Sequence, residues 1–105
     1  MIDQIKLNEL SKLDSGVPLY QKIIKLQEEA GEVAQEFLKF DGALNASKSA
    51  TGDDLLEEVI DVAIVALDII NALVGDDKDE IQKARRISEA KLNKWQLKVM
   101  NYPKG

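Results

Sequence analysis

The chain has 105 residues, with 14 Lys and Arg against 19 Asp and Glu, for a formal charge of −5. That length suits one domain, and the balance of apolar and charged residues is that of a globular protein rather than a disordered one. The absence of both Cys and His excludes disulfides, zinc fingers, thiol catalysis and every His-based triad. Catalysis must therefore use carboxylates, Lys, Arg, Tyr, Ser/Thr or a hard metal held by oxygen. The net negative charge argues against a nucleic-acid polymer as partner. Nothing at Met1–Leu13 resembles a signal peptide, so the cytoplasm is the expected compartment.

The pattern predicts an all-α chain of about four helices with no strand. The first covers roughly Asp3–Leu13, with Ile2, Ile5, Leu10 and Leu13 at loosely helical spacing. Asp14-Ser15-Gly16 breaks it, and Pro18 suits the first turn of a second helix running to Phe40. The apolar stripe of that helix is Leu19, Ile23, Leu26, Ala30, Val33 and Phe37. Residues 41–52 are small and polar and read as a loop, because the alternating acids and closing Glu of a calcium loop are missing. Asp54 with Glu57 suits a capping box at the start of a third helix, and Gly75 suits its end. Asp77 with Glu80 repeats the signal for a fourth helix, about Lys78–Met100, which Asn101-Tyr102-Pro103 closes. Short connections imply antiparallel neighbours in a bundle. The apolar run Val59–Val74, broken by Asp61, Asp68 and Asn71, is too short and too charged to span a bilayer. No membrane partner is expected.

The third helix is apolar over most of its circumference: Leu55, Val59, Val62, Val65, Ala66, Ile69, Ile70 and Leu73. A narrow polar stripe holds Asp54, Glu57, Asp61, Asp68 and Asn71, while Glu58 falls among Val62, Val65 and Ile69. A helix of this kind is normally enclosed by others, and a carboxylate inside it needs a salt bridge, a shared proton or a cation. At the matching level the second helix offers more acids and no bases, with Glu28, Glu29, Glu32 and Glu36. Glu29 and Glu32 are spaced i, i+3, as are Glu58 and Asp61, so each pair can converge on one point. Two such pairs on facing helices repel strongly unless a cation joins them. All-oxygen ligation suits Mg²⁺ or Mn²⁺ rather than zinc. Taken singly, Glu29 lies at the edge of its apolar stripe and Glu32 further out, so each alone reads as solvated.

In the fourth helix Lys91 falls within the apolar arc of Ile81, Ala84, Leu92, Trp95 and Val99. It can snorkel, pair with an acid, or meet a phosphate as a point charge. Lys94 and Lys98 lie towards the rim, and Trp95 reads as core or as a base-stacking platform.

The string Glu28-Glu29-Ala30-Gly31-Glu32, followed after a loop by Glu57-Glu58-Val59-Ile60-Asp61, resembles the MazG-like all-α nucleotide pyrophosphohydrolases. Their signature is EExxE, a variable gap, then ExxD. Lys91-Leu92-Asn93-Lys94-Trp95 resembles the lysine-containing segment of their last helix, and the likeness covers about residues 18–96. It implies Mg²⁺ ligation by Glu29, Glu32, Glu58 and Asp61. It also implies hydrolysis of a nucleoside triphosphate between its α and β phosphates, giving a monophosphate and pyrophosphate. Glu28 and Glu57 would orient or deprotonate the water, Lys91 would contact phosphate, and Lys94 and Trp95 would lie near the substrate. The family assembles as dimers or tetramers, so a homodimer or homotetramer is expected. Hydrolysis of phosphoribosyl-ATP and a non-catalytic dimerisation module stand as alternatives.

Overall fold

The computed structural model describes residues 1–14, 16–40 and 52–102. Those residues form four helices and no strand: α1 (Gln4–Leu13), α2 (Leu19–Phe40), α3 (Gly52–Val74) and α4 (Lys78–Met100). None of them is long and apolar enough to cross a membrane. Most of the loop expected at residues 41–52 lies outside the described residues.

Local chemistry accounts for the helix ends. Asp3 caps α1 by accepting the Lys6 amide at 3.0 Å, and Asp77 caps α4 by accepting the amides of Asp79 and Glu80. Gly75 follows α3 with φ +63°, a left-handed turn that a Cβ would strain. One end differs from expectation. Helix α3 starts at Gly52, so Asp54 sits inside its first turn, beside Asp53, and not at the cap. Acids there still face the positive end of the helix dipole.

The chain divides into two units, Met1–Leu73 and Val74–Gly105. In the first, Lys22 of α2 meets Asp68 of α3, and further along α2 Glu29 lies near Glu58. A Cβ on Gly52 would lie 3.9 Å from the ring of Phe40. Rising numbers on α2 against falling numbers on α3 make the two helices antiparallel. Helix α1 also opposes α3, because Ser11 bonds Asp68 while Asn71 reaches back to Asn8 at 3.0 Å.

The face that α2 turns inward is rotated from the expected stripe. Its least exposed residues are Lys22, Leu26, Glu29, Val33 and Glu36, whereas Leu19, Ile23 and Phe37 remain 41–50 % exposed. Leu26 and Val33 belong to both lines, so the rotation is a fraction of a turn. It is enough to bring Glu29 from the edge into the interior. On α3 the inward line is Leu55, Glu58, Val62, Val65 and Ile69, as the placement of Glu58 anticipated. Enclosure of α3 is much less complete than its composition predicts: Val59, Ile64, Ile70 and Leu73 are exposed, and Ile69 is its one buried residue.

The second unit is built on α4, which has no buried residue. On its expected core face Leu92, Trp95 and Val99 are all more than half exposed, while Ile81 and Ala84 are half-buried.

Candidate functional site: a carboxylate cluster between two helices

Carboxylate oxygens of Glu29, Glu32 and Glu58 lie within 4.8 Å of one another. Helix geometry brings them there. The i, i+3 spacing sets Glu29 and Glu32 on adjoining parts of the α2 surface, and the antiparallel register presents Glu58 from α3. Glu29 is only 6 % exposed, Glu58 is half-buried and Glu32 is exposed.

The cluster is short of partners. Lys25, one turn before Glu29, donates from Nζ to Glu29 Oε1 at 2.8 Å. The other oxygen of Glu29 and Oε2 of Glu58 are buried without a hydrogen-bond partner. A buried carboxylate oxygen left bare has lost its water without gaining a donor, so this arrangement is unfavourable as it stands. Burial pushes the Glu58 carboxyl above the ordinary carboxylate range, aided by its hydrogen bond to Glu32 and the charges of Glu32, Asp61 and Glu29. The hydrogen bond to Glu29 holds the Lys25 ammonium above its usual range, reinforced by the charges of Glu29, Glu28 and Glu32.

The other expected site residues take different places. Asp61 stands three residues beyond Glu58, exposed and outside the three-carboxylate group, although its charge reaches Glu58. Glu28 and Glu57 are exposed neighbours of Glu29 and Glu58. Lys91, Lys94 and Trp95 are exposed on α4, in the second unit.

A second polar group escaped the sequence reading. Lys22 is 6 % exposed and donates to Asp14 Oδ2 at 2.9 Å and to Asp68 Oδ2. Ser11 donates to the other oxygen of Asp68. Burial alone would lower the Lys22 ammonium, yet the hydrogen bonds to Asp68 and Asp14 outweigh it and the net shift is upward. Burial would likewise raise Asp68, but hydrogen bonds from Lys22 and Ser11 leave it below the ordinary range. The expectation that α2 offers acids and no base at the level of α3 is therefore corrected. Lys22 answers Asp68, and Lys25 answers one oxygen of Glu29. The available signal was that Lys22 shares a helical line with Leu26 and Glu29, and that Asp68 interrupts an apolar run.

Beside the Lys22 group lies a cavity of about 640 Å³ between α1, α2 and α3. Leu7, Leu10, Val17 and Val65 supply apolar wall, and Lys22 and Lys25 both border it.

Comparison with protein-family models, with curated proteins and with solved structures yields no match.

Proposed function

We propose that the protein is a Mg²⁺-dependent nucleoside triphosphate pyrophosphohydrolase. The observation that carries the cation site is that Glu29 and Glu58, members of one carboxylate cluster, each keep a buried oxygen with no hydrogen-bond partner. Their chemistry fits a hard divalent ion, because oxygen donors of full charge favour Mg²⁺ or Mn²⁺. Glu29, Glu32 and Glu58 would hold it, with Asp61 approaching from the next turn of α3. The reaction itself is supported by the EExxE and ExxD strings that contain these residues.

A bound Mg²⁺ would supply positive charge against the phosphate oxygens and favour ionisation of the attacking water. The chain's own acids do the rest. Glu28 and Glu57, exposed beside the ligands, orient the water or accept its proton. For α4 the proposal rests on the likeness of its lysine-containing segment alone, which would give Lys91 to phosphate and Lys94 and Trp95 to the nucleoside. The exposed apolar residues of α3 support a homodimer or homotetramer, in which a second copy would cover them.

The test is a turnover panel of canonical, deoxy and modified nucleoside triphosphates and phosphoribosyl-ATP, with and without Mg²⁺. Pyrophosphate and orthophosphate are detected separately. Metal-dependent pyrophosphate release is expected. Orthophosphate would mean that a different bond is cut. Turnover of phosphoribosyl-ATP alone would move the assignment to that substrate. A folded protein that releases neither product and binds no Mg²⁺ would be a helical pairing module.

A further inference from the structure

We propose that Lys25 is a polyphosphate-binding residue, passing from Glu29 to the ligand once a divalent cation occupies the carboxylate cluster. This rests on the cation-site reading above and adds a residue that the EExxE and ExxD pattern does not contain.

Charge balance motivates it. Glu29, Glu32 and Glu58 together carry up to three negative charges, and Asp61 adds a fourth nearby. One divalent ion leaves such a site neutral at best and usually negative, while a polyphosphate brings several more negative charges. Binding therefore needs a base close to the carboxylates, and Lys25 is the base that this structure pairs with them, at 2.8 Å from Glu29 Oε1.

Geometry and exposure allow the transfer. The Lys25 side chain is 56 % exposed, against 8 % for that of Glu29, so the lysine can swing while the glutamate stays fixed. In the metal-free protein the ammonium is the partial counter-charge for a carboxylate that would otherwise be wholly bare. A divalent ion takes over that task with twice the charge, and the ion pair becomes redundant. Lys25 also borders the cavity between α1, α2 and α3, so one flexible cation spans the carboxylates and the open space beside them. Lysine suits this exchange better than arginine would, being a compact point charge on a flexible stem with no fixed fork to realign.

Calorimetric titrations with Mn²⁺, then with inorganic pyrophosphate on the Mn²⁺-loaded protein, test the assignment. The wild type is compared with Lys25→Met and Lys25→Arg. Lys25→Met is expected to bind Mn²⁺ at least as tightly as the wild type, having lost a competing cation. Its Mn²⁺-loaded form should bind pyrophosphate about tenfold more weakly, the scale of one charge-assisted contact. Lys25→Arg should restore most of that affinity. Equal pyrophosphate affinity in Lys25→Met and wild type would overturn the proposal. So would weaker Mn²⁺ binding in Lys25→Met, which would make the lysine a prop for Glu29 only. If the wild type bound no Mn²⁺, the cation-site reading would fail first, and the inference with it.

Discussion

Two polar clusters lie between α2 and α3, and they differ in how their charges are answered. Around Lys22, one buried ammonium meets two carboxylates, and a serine hydroxyl takes up the far oxygen of Asp68. Around Glu29, three carboxylates cluster, one lysine pairs with a single oxygen of Glu29, and two buried oxygens have no partner. The first group lies where α1, α2 and α3 meet and ties them together. The second has the composition of a binding site, with two buried oxygens that no donor answers. Buried charge is tolerated in a fold when it is paired and hydrogen-bonded, so the unanswered cluster is where a ligand is to be sought.

The sharpest way to break this contrast is through turnover. Glu58→Gln is expected to lower metal-dependent pyrophosphate release by about a hundredfold or more, roughly the 3 kcal/mol lost with a charge-stabilising group. Asp61→Asn should do the same if Asp61 joins the ligand set on binding. Unchanged turnover in both variants would remove the metal-site assignment.

Next in size is the response of stability to metal. At free Mg²⁺ a hundredfold above its dissociation constant, the fold should gain about 2.7 kcal/mol, read as a rise in melting temperature. Glu29→Gln and Glu58→Gln should lose that rise while remaining folded. A rise of equal size in the variants would place the ion elsewhere.

The Lys22 group should behave in the opposite way. Lys22→Met leaves Asp68 without its ion partner and should cost about 2 kcal/mol, reduced from the fully buried case because Asp14 is half-exposed. Denaturant melts with and without Mg²⁺ should show the same loss. A loss that Mg²⁺ abolishes would mean that the two clusters are not separate.

The smallest expected effect is a difference in pH dependence. Asp68 lies below its ordinary value of 3.8, so its pairing contributes stability above that value, lost as pH falls through the lower folded one. Lys22 lies above 10.5, so its contribution is present below 10.5 and lost as pH rises through the folded value. Glu58 is raised above 4.5, and the sign reverses for a carboxyl: its contribution is full below 4.5 and is lost as pH rises through the folded value. In metal-free protein, the melting temperature of Glu58→Gln should therefore gain on the wild type as pH rises from 4.5 towards neutrality. A constant difference across that interval would show that Glu58 titrates normally.

Much of this was legible in the sequence. The cap at Asp77, the Gly75 stop and the four helices follow from local preferences that act within a turn or two of chain. Glu58 could be assigned to the inner line of α3 because it falls among Val62, Val65 and Ile69 at helical spacing. Lys22 and Asp68 were not legible as a pair. They lie 46 residues apart, and helical spacing says nothing of which residues on different helices meet. Glu29 was placed at an edge because the apolar stripe of α2 marks only the average direction of burial.

The sequence by itself determined the helix limits, the start of α3 apart, and which carboxylates could share a helix face, since both are fixed by short-range backbone geometry. Tertiary structure decided the rotation of α2, the burial of Glu29, the pairing of Lys22 with Asp68 and the bare oxygens left on Glu29 and Glu58. Those depend on the register of α2 against α3, which is set by packing all their side chains at once and not by either helix alone.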